Sequence, residues 1–139
     1  MKQAVSFITL GVSDLARSRA FYKALGWQES SASQPSVAFF QAGSVVFALF
    51  GRDMLAEDAG VSAQGNGFPG FTLAHNVGSP EEVDLLIEEA VKAGGKCVMA
   101  GEKAPWGGFR GYFADPDGFL WEVCHNPFCE LLEDGTVRL

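Results

Sequence analysis

The chain has 139 residues, 47% of them hydrophobic, with 12 Phe and 3 Trp, which suits one domain (1–139) with a substantial apolar core. Charged residues make up 19%, too few for a disordered polyampholyte, and the net charge of -7 sets the surface against phosphate backbones, so nucleic acid is excluded as a partner. No apolar run approaches the ~20 residues a membrane helix needs, and the start, MKQAVSFITLGVSDL, lacks the apolar core and cleavage site of a signal peptide. Cys97, Cys124 and Cys129 are odd in number with no C-x-x-C spacing. They read as thiols of a reduced, cytoplasmic protein rather than as a zinc site.

AVSFITLGV (4–12) alternates Val5, Phe7 and Thr9 with Ser6, Ile8 and Leu10, and its two largely apolar faces predict a well-buried strand. SDLARSRAFYKALG predicts a helix capped by Ser13 or Asp14, with an apolar stripe of Leu15, Ala16, Ala20, Phe21, Ala24 and Leu25, stopped at Gly26. WQESS, VAFFQ and SVVFALFG read as short strands, the last two joined by a turn at Ala42-Gly43-Ser44. The small, Gly-rich RDMLAEDAGVSAQGNGFPG has room for a single helical turn but reads as a linker.

FTLAHNV (71–77) starts a second round. SPEEVDLLIEEAVKAGG predicts the best-marked helix: Ser79 as cap, Pro80 at the first position, Glu82 completing a capping box, and a buried stripe of Val83, Leu86, Ile87, Ala90 and Val91. KCVMAG, GGFRGYFA and FLWEVCH follow as strands, the last two joined by Asp115-Pro116-Asp117-Gly118, where Pro and Asp suit a type I turn and Gly the left-handed position after it. Both halves therefore read as strand, helix and three strands. Phe7 and Phe71 lie 64 positions apart, and the Gly43 and Gly118 turns 75 apart. The pattern predicts an α+β protein of two tandem βαβββ modules forming a cupped mixed sheet. The first module covers 4–52, the linker 53–69, the second module 70–127 and a C-terminal tail 128–139.

VSDLARSRAFYKALGW and GYFADPDGFLWEVCHNP, in this order and spacing, resemble the vicinal oxygen chelate superfamily of glyoxalases, bleomycin-resistance proteins and extradiol dioxygenases. The resemblance covers roughly residues 4–127 and speaks to fold more than to function, since one fold hosts many sites. It implies ligands of one divalent ion, usually His, Glu or Gln, on the first and last strands of each module. Carried onto this sequence, those positions fall on Phe7, seven residues before Asp14; on its repeat mate Phe71; on Glu122; and, 75 positions before Glu122, on Phe47, with Ala48 one step away. One carboxylate and three phenyl rings cannot satisfy a divalent ion. The expectation is a protein without a cofactor, with Zn, Ni, Fe or Mn bound through Glu122 as the alternative.

His75 and His125 read as polar residues at strand ends, no G-x-S-x-G elbow or phosphate loop is present, and no catalytic residue is assigned. A bulged hairpin at Gly118 puts Tyr112 opposite Glu122, with Arg110 on the same face and Phe113 packed on Trp121 behind. An Arg110–Glu122 ion pair or a Tyr112–Glu122 hydrogen bond is expected, because a buried carboxylate needs a partner. Trp106, between Pro105 and Gly107-Gly108, is either an aromatic rim or a hydrophobic plug.

The expected function is a metal-free protein that binds a small apolar or aromatic molecule on Phe7, Phe47, Phe71, Trp106, Arg110, Tyr112 and Glu122. The resemblance adds a homodimer. The alternatives are a metal-dependent lyase, isomerase or dioxygenase, and a closed cup acting through protein contacts.

Overall fold

A computed structural model describes residues 1, 6–60, 62–65, 67–69 and 71–138; the expected contribution of Ala4 and Val5 to the first strand lies outside them. The chain divides into two compact units, 1–69 and 70–139. No helix among the described residues is long and apolar enough to cross a membrane.

In the first unit, β1 (Phe7–Val12), β2 (Val37–Ala42) and β3 (Val45–Gly51) form a sheet in the order β1-β3-β2, parallel between β1 and β3 and antiparallel between β2 and β3. Helix α1 (Leu15–Ala24) starts at Asp14, whose carboxylate accepts from the Arg17 amide at 3.0 Å, so the cap is Asp14 and not Ser13. Its buried side is Ser18, Phe21 and Tyr22, rotated from the expected alanine stripe because the sheet receives the bulky rings. Tyr22 meets Phe40 and Phe47, and Trp27 meets the same two rings. Leu10, Val12, Ala38 and Leu49 complete this core.

WQESS does not form a strand; it contributes one isolated bridge, Glu29 to Phe40. Besides the Ser30 amide's bond to the Phe39 carbonyl at 2.8 Å, side chains hold that segment. Glu29 bonds Lys23 at 2.7 Å and Arg19 at 3.3 Å, and the Arg19 guanidinium also donates to the carbonyls of Gln34 and Val37. The start of the expected linker is likewise more ordered than its composition implies. Arg52–Asp58 forms helix α2, and Arg52 donates to the Ala63 and Gly65 carbonyls, drawing the following loop back.

The second unit carries the full βαβββ sequence: β4 (Leu73–Asn76), α3 (Pro80–Lys92), β5 (Lys96–Lys103), β6 (Phe109–Ala114) and β7 (Leu120–His125), with sheet order β4-β7-β6-β5. Ser79 occupies the cap of α3 without a side-chain bond to a helix amide, and Glu82 reaches back to the Gly78 amide at 3.2 Å, one residue further than a capping box. Val83, Ile87 and Ala90 are buried against the sheet, whereas Val91 faces out. Gly111 permits this approach: a Cβ there would stand 2.6 Å from Ile87 Cδ1 and 2.8 Å from the Met99 carbonyl. Strand β5 holds two register shifts, at Cys97/Met99 and Met99/Glu102. The Gly101 amide within the second leaves the ladder and donates to Asp84 of α3 at 2.7 Å. The tail from 128 is not featureless: Glu130–Leu131 (β8) and Val137–Arg138 (β9) pair as a hairpin.

Candidate functional site

Each sheet has one face under its long helix; on the other face of the first sheet, α2 covers the Gly11 end, where a Gly11 side chain would meet Arg52 and Leu55. In the first unit the β1–β3 register, Ile8 to Phe47 and Leu10 to Leu49, puts Phe47 on the helix face. Phe47 is 2% exposed and packs on Tyr22 and Trp27. Phe7 lies on the other face, 56% exposed, edge-on to Phe39 at 6.2 Å between centroids. Ala48, paired with Thr9 and Phe39, shares the face of Phe7. The expectation that Phe47 joins Phe7 in one site is therefore corrected to Ala48.

The cause is the turns. The first hairpin reverses on Gly43-Ser44, with Gly43 at its start (φ 57°), between the paired Ala42 and Val45. The second closes Ala114 on Leu120, and its left-handed Gly118 (φ 89°) comes near the end of the loop. Aligning glycine with glycine slips the strand that follows by one residue, and a one-residue slip in a strand changes the face.

The first strands carry a similar slip. Asp14 and Ser79 are the equivalent helix caps. Ala74, five residues before Ser79, pairs with Glu122, as Thr9, five before Asp14, pairs with Ala48. The mate of Phe7 is then Thr72, seven residues before Ser79, not Phe71. Phe71 is 42% exposed, with its ring 6.1 Å from that of Phe119. No local signal would have shown this; two phenylalanines in similar strands formed a false match.

The positions that the resemblance assigns to metal ligands thus hold Phe7, Ala48, Thr72 and Glu122. Among the described residues no three His, Cys, Asp or Glu side chains gather. One carboxylate and one hydroxyl, both on the second unit, do not form the donor set of a divalent ion.

The open face of the second unit is polar. Tyr112 pairs with Glu122 and Arg110 with Cys124, in the register expected for a bulged Asp-Pro-Asp-Gly hairpin. Asp115 builds that turn: nearly fully buried, it accepts from the amides of Asp117 and Phe119 at 2.9 Å. Behind the sheet Phe113 stacks parallel on Trp121, as expected. Arg110 stands on the face of Glu122 but bonds Glu102 at 3.0 Å, so the expected Arg110–Glu122 ion pair is replaced by a pair across the β5–β6 ladder, where Glu102 lies directly opposite. Burial, then the charge of neighbouring Glu122 and the hydrogen bond from the Tyr112 hydroxyl to its carboxylate, raise the pKa of Tyr112, so of the two expected contacts it is the Tyr112–Glu122 bond that forms. The Cys124 thiol donates to Asn76 at 3.2 Å, and burial followed by the Glu122 charge pushes its pKa up to about 11. A thiol held protonated in this way is not a nucleophile.

Trp106 lies apart from this row, in the β5–β6 turn closed by bonds between Ala104 and both Gly107 and Gly108. Its ring occupies the place a Gly108 side chain would take, and it remains 43% exposed, part plug and part rim. Phe128, largely exposed, sits beside Gly107.

Residues 4–123 match the family model described as Glyoxalase/Bleomycin resistance protein/Dioxygenase superfamily. The chain belongs to this superfamily. A solved glyoxalase-related enzyme from Fulvimarina pelagi is 39% identical, covers 99% of this chain and 98% of its own, and superposes with a TM-score of 0.88. Hypothetical protein SA1046 from S. aureus is 27% identical over 91% of this chain and 95% of that one (TM-score 0.78). A lactoylglutathione lyase from Agrobacterium tumefaciens, 20% identical with a TM-score of 0.67 over 91% and 96%, shares the fold alone. No curated protein matches the chain. The glyoxalase/bleomycin-resistance fold is thus shared across chains whose names differ, and the chemistry has to be read from residues.

Proposed function

We propose that this chain is a small-molecule binding member of the glyoxalase/bleomycin-resistance superfamily that takes an apolar or aromatic organic compound without a metal. The observation that carries this reading is the donor set: Phe7, Ala48 and Thr72 accompany Glu122 at the positions where metal-dependent relatives are expected to place ligands. What the sheet faces offer instead is organic recognition. The first unit presents the Phe7–Phe39 ring pair, an edge-to-face platform suited to an aromatic body. The second presents a short polar row, Glu122, Tyr112 and Arg110, on an otherwise apolar strand pair. We further propose a homodimer, in which exposed Phe68, Phe71 and Phe128 would lose water contact.

Two measurements test the binding reading. Elemental analysis of protein purified without chelators is expected to give well under one metal ion per chain. A thermal-shift screen of apolar and aromatic compounds is expected to raise the melting temperature, because a ligand selective for the native state stabilises it. One equivalent of zinc, nickel, iron or manganese, lost on Glu122→Gln, would replace the reading with that of a metal-dependent lyase, isomerase or dioxygenase. A screen without a single stabilising compound would support a closed protein acting by contacts.

A further inference from the structure

The charge inventory of the open face on the second unit narrows the ligand. Four polar groups project there around β6 and β7. Arg110, the cation of the row, is neutralised by Glu102 at 3.0 Å. Tyr112 and Cys124 are both shifted toward their protonated, neutral forms, and Cys124 is already bonded to Asn76. Glu122 is left. It is half-buried, and among the described residues it has no ion-pair partner. Lys96, at the outer end of the same face, pairs with Ala114 two strands from Glu122 and makes no ion pair with it. On its other flank, β7 pairs with β4 and the residue opposite Glu122 is Ala74. A methyl group leaves the carboxylate open on that side, whereas Tyr112 fills the side toward β6.

A half-buried carboxylate with the Tyr112 hydroxyl on one flank and the other flank open has acceptor capacity to spare and, among the described residues, no cation beside it. Leaving it so is costly, and it repels any anion brought beside it. We infer that Glu122 is the anchor for a protonated amine, so that the ligand class is an apolar or aromatic body carrying a cationic nitrogen and not a carboxylate or phosphate. The inference rests on the small-molecule reading of the same site and sharpens it. The ammonium would donate to Glu122 from the Ala74 side, replacing the water that the carboxylate loses, and the apolar body would lie along the strands. Arg110 does not recruit an acid here because Glu102 already holds it.

Three probes with one phenyl body separate the possibilities: 2-phenylethylamine, 2-phenylethanol and phenylacetate, titrated into the full chain and followed by ligand-observed NMR. The amine is expected to bind about tenfold or more tighter than the alcohol, because it forms an ion pair with the carboxylate where the alcohol only donates to it, and the anion more weakly than either. Glu122→Gln is expected to lower amine binding by about tenfold or more and to bring the amine level with the alcohol, both measured on the same variant. Equal binding of amine and alcohol, preference for phenylacetate, or an amine preference that survives E122Q would overturn the inference while leaving small-molecule binding intact. Absence of binding by all three, together with an empty thermal-shift screen, would overturn both. Where E122Q does not fold, the wild-type titration at rising salt decides: the amine's advantage shrinks with ionic strength if Glu122 supplies it, and a salt-independent advantage rejects the anchor.

Discussion

Phe7 and Phe47 show how little residue type says without register. Both lie on strands that read as apolar on two faces, so alternation could not assign sides, and only the observed pairing separates a core ring from a surface ring. Phe47→Ala is expected to cost about 3–5 kcal/mol, the usual range for emptying a buried aromatic site, read as a lower urea midpoint. Phe7→Ala should stay within about 0.5 kcal/mol, as exposed positions do, while weakening binding of aromatic ligands. Equal destabilisation by the two would return Phe47 to the face of Phe7. Gly111 is a residue whose role sequence could not reveal, since the close approach belongs to α3 and β5. Gly111→Ala should destabilise by about 1–3 kcal/mol, because the backbone carbonyl of Met99 cannot step aside as a side chain could. Glu29 carries a pH dependence. Its bond from Lys23 is the chief cause of a pKa below the ordinary carboxylate range, so it stabilises the fold above about pH 4.3, and that contribution disappears as the pH falls through the lowered native value. Glu29→Gln should therefore be less stable than wild type at neutral pH, with the two denaturation curves converging under acid; a constant gap would refute the assignment.

At the scale of elements, legibility followed locality. The Asp-Pro-Asp-Gly hairpin was readable to the residue because turn chemistry sets its own register: Gly118 is left-handed, Asp115 ties the turn, and Tyr112 falls opposite Glu122. The presence and extent of both long helices were readable from turn and cap residues, but the buried side of α1 and the capping box of α3 were not. Asp14→Ala is expected to cost about 1 kcal/mol, measured by denaturant unfolding, since it leaves the Arg17 amide without its acceptor. Where long-range contacts decide, the reading failed. WQESS has strand-like ends, yet the Lys23–Glu29–Arg19 cluster on α1 holds it, and a ladder does not. Helix α2 escaped because Gly and Ala surround it and it buries no residue of its own. The donor positions failed for the same reason as Phe47: loop lengths differ between modules, and a repeat offset counted across a loop is off by one where a face depends on it.

For the whole molecule, the duplicated strand and helix pattern was enough to place the chain in its superfamily, because two weak motifs in fixed order constrain a fold more than either alone. Function did not follow, since one fold hosts many sites and the shared pattern lies in the scaffold rather than in the side chains that would carry chemistry. The proposed homodimer is an expectation at this scale: sedimentation equilibrium should give twice the 14.9 kDa chain mass at micromolar concentration, and a monomer under those conditions would reject it. The acidic net charge of -7 should keep either form dispersed near neutral pH.

Strand β5 ends the second sheet with eight residues facing the six of β6, two of them extra, and one amide given to Asp84. A flat edge is a template onto which another chain can add, and repeated addition grows a fibril; a doubly bulged edge presents a broken row of donors and acceptors that an incoming strand cannot match. The irregularity that complicates this strand's pairing is thus a safeguard against amyloid-like growth, and a Gly101 deletion that straightened β5 would be expected to raise thioflavin-positive aggregation on gentle heating even where the monomer still folds.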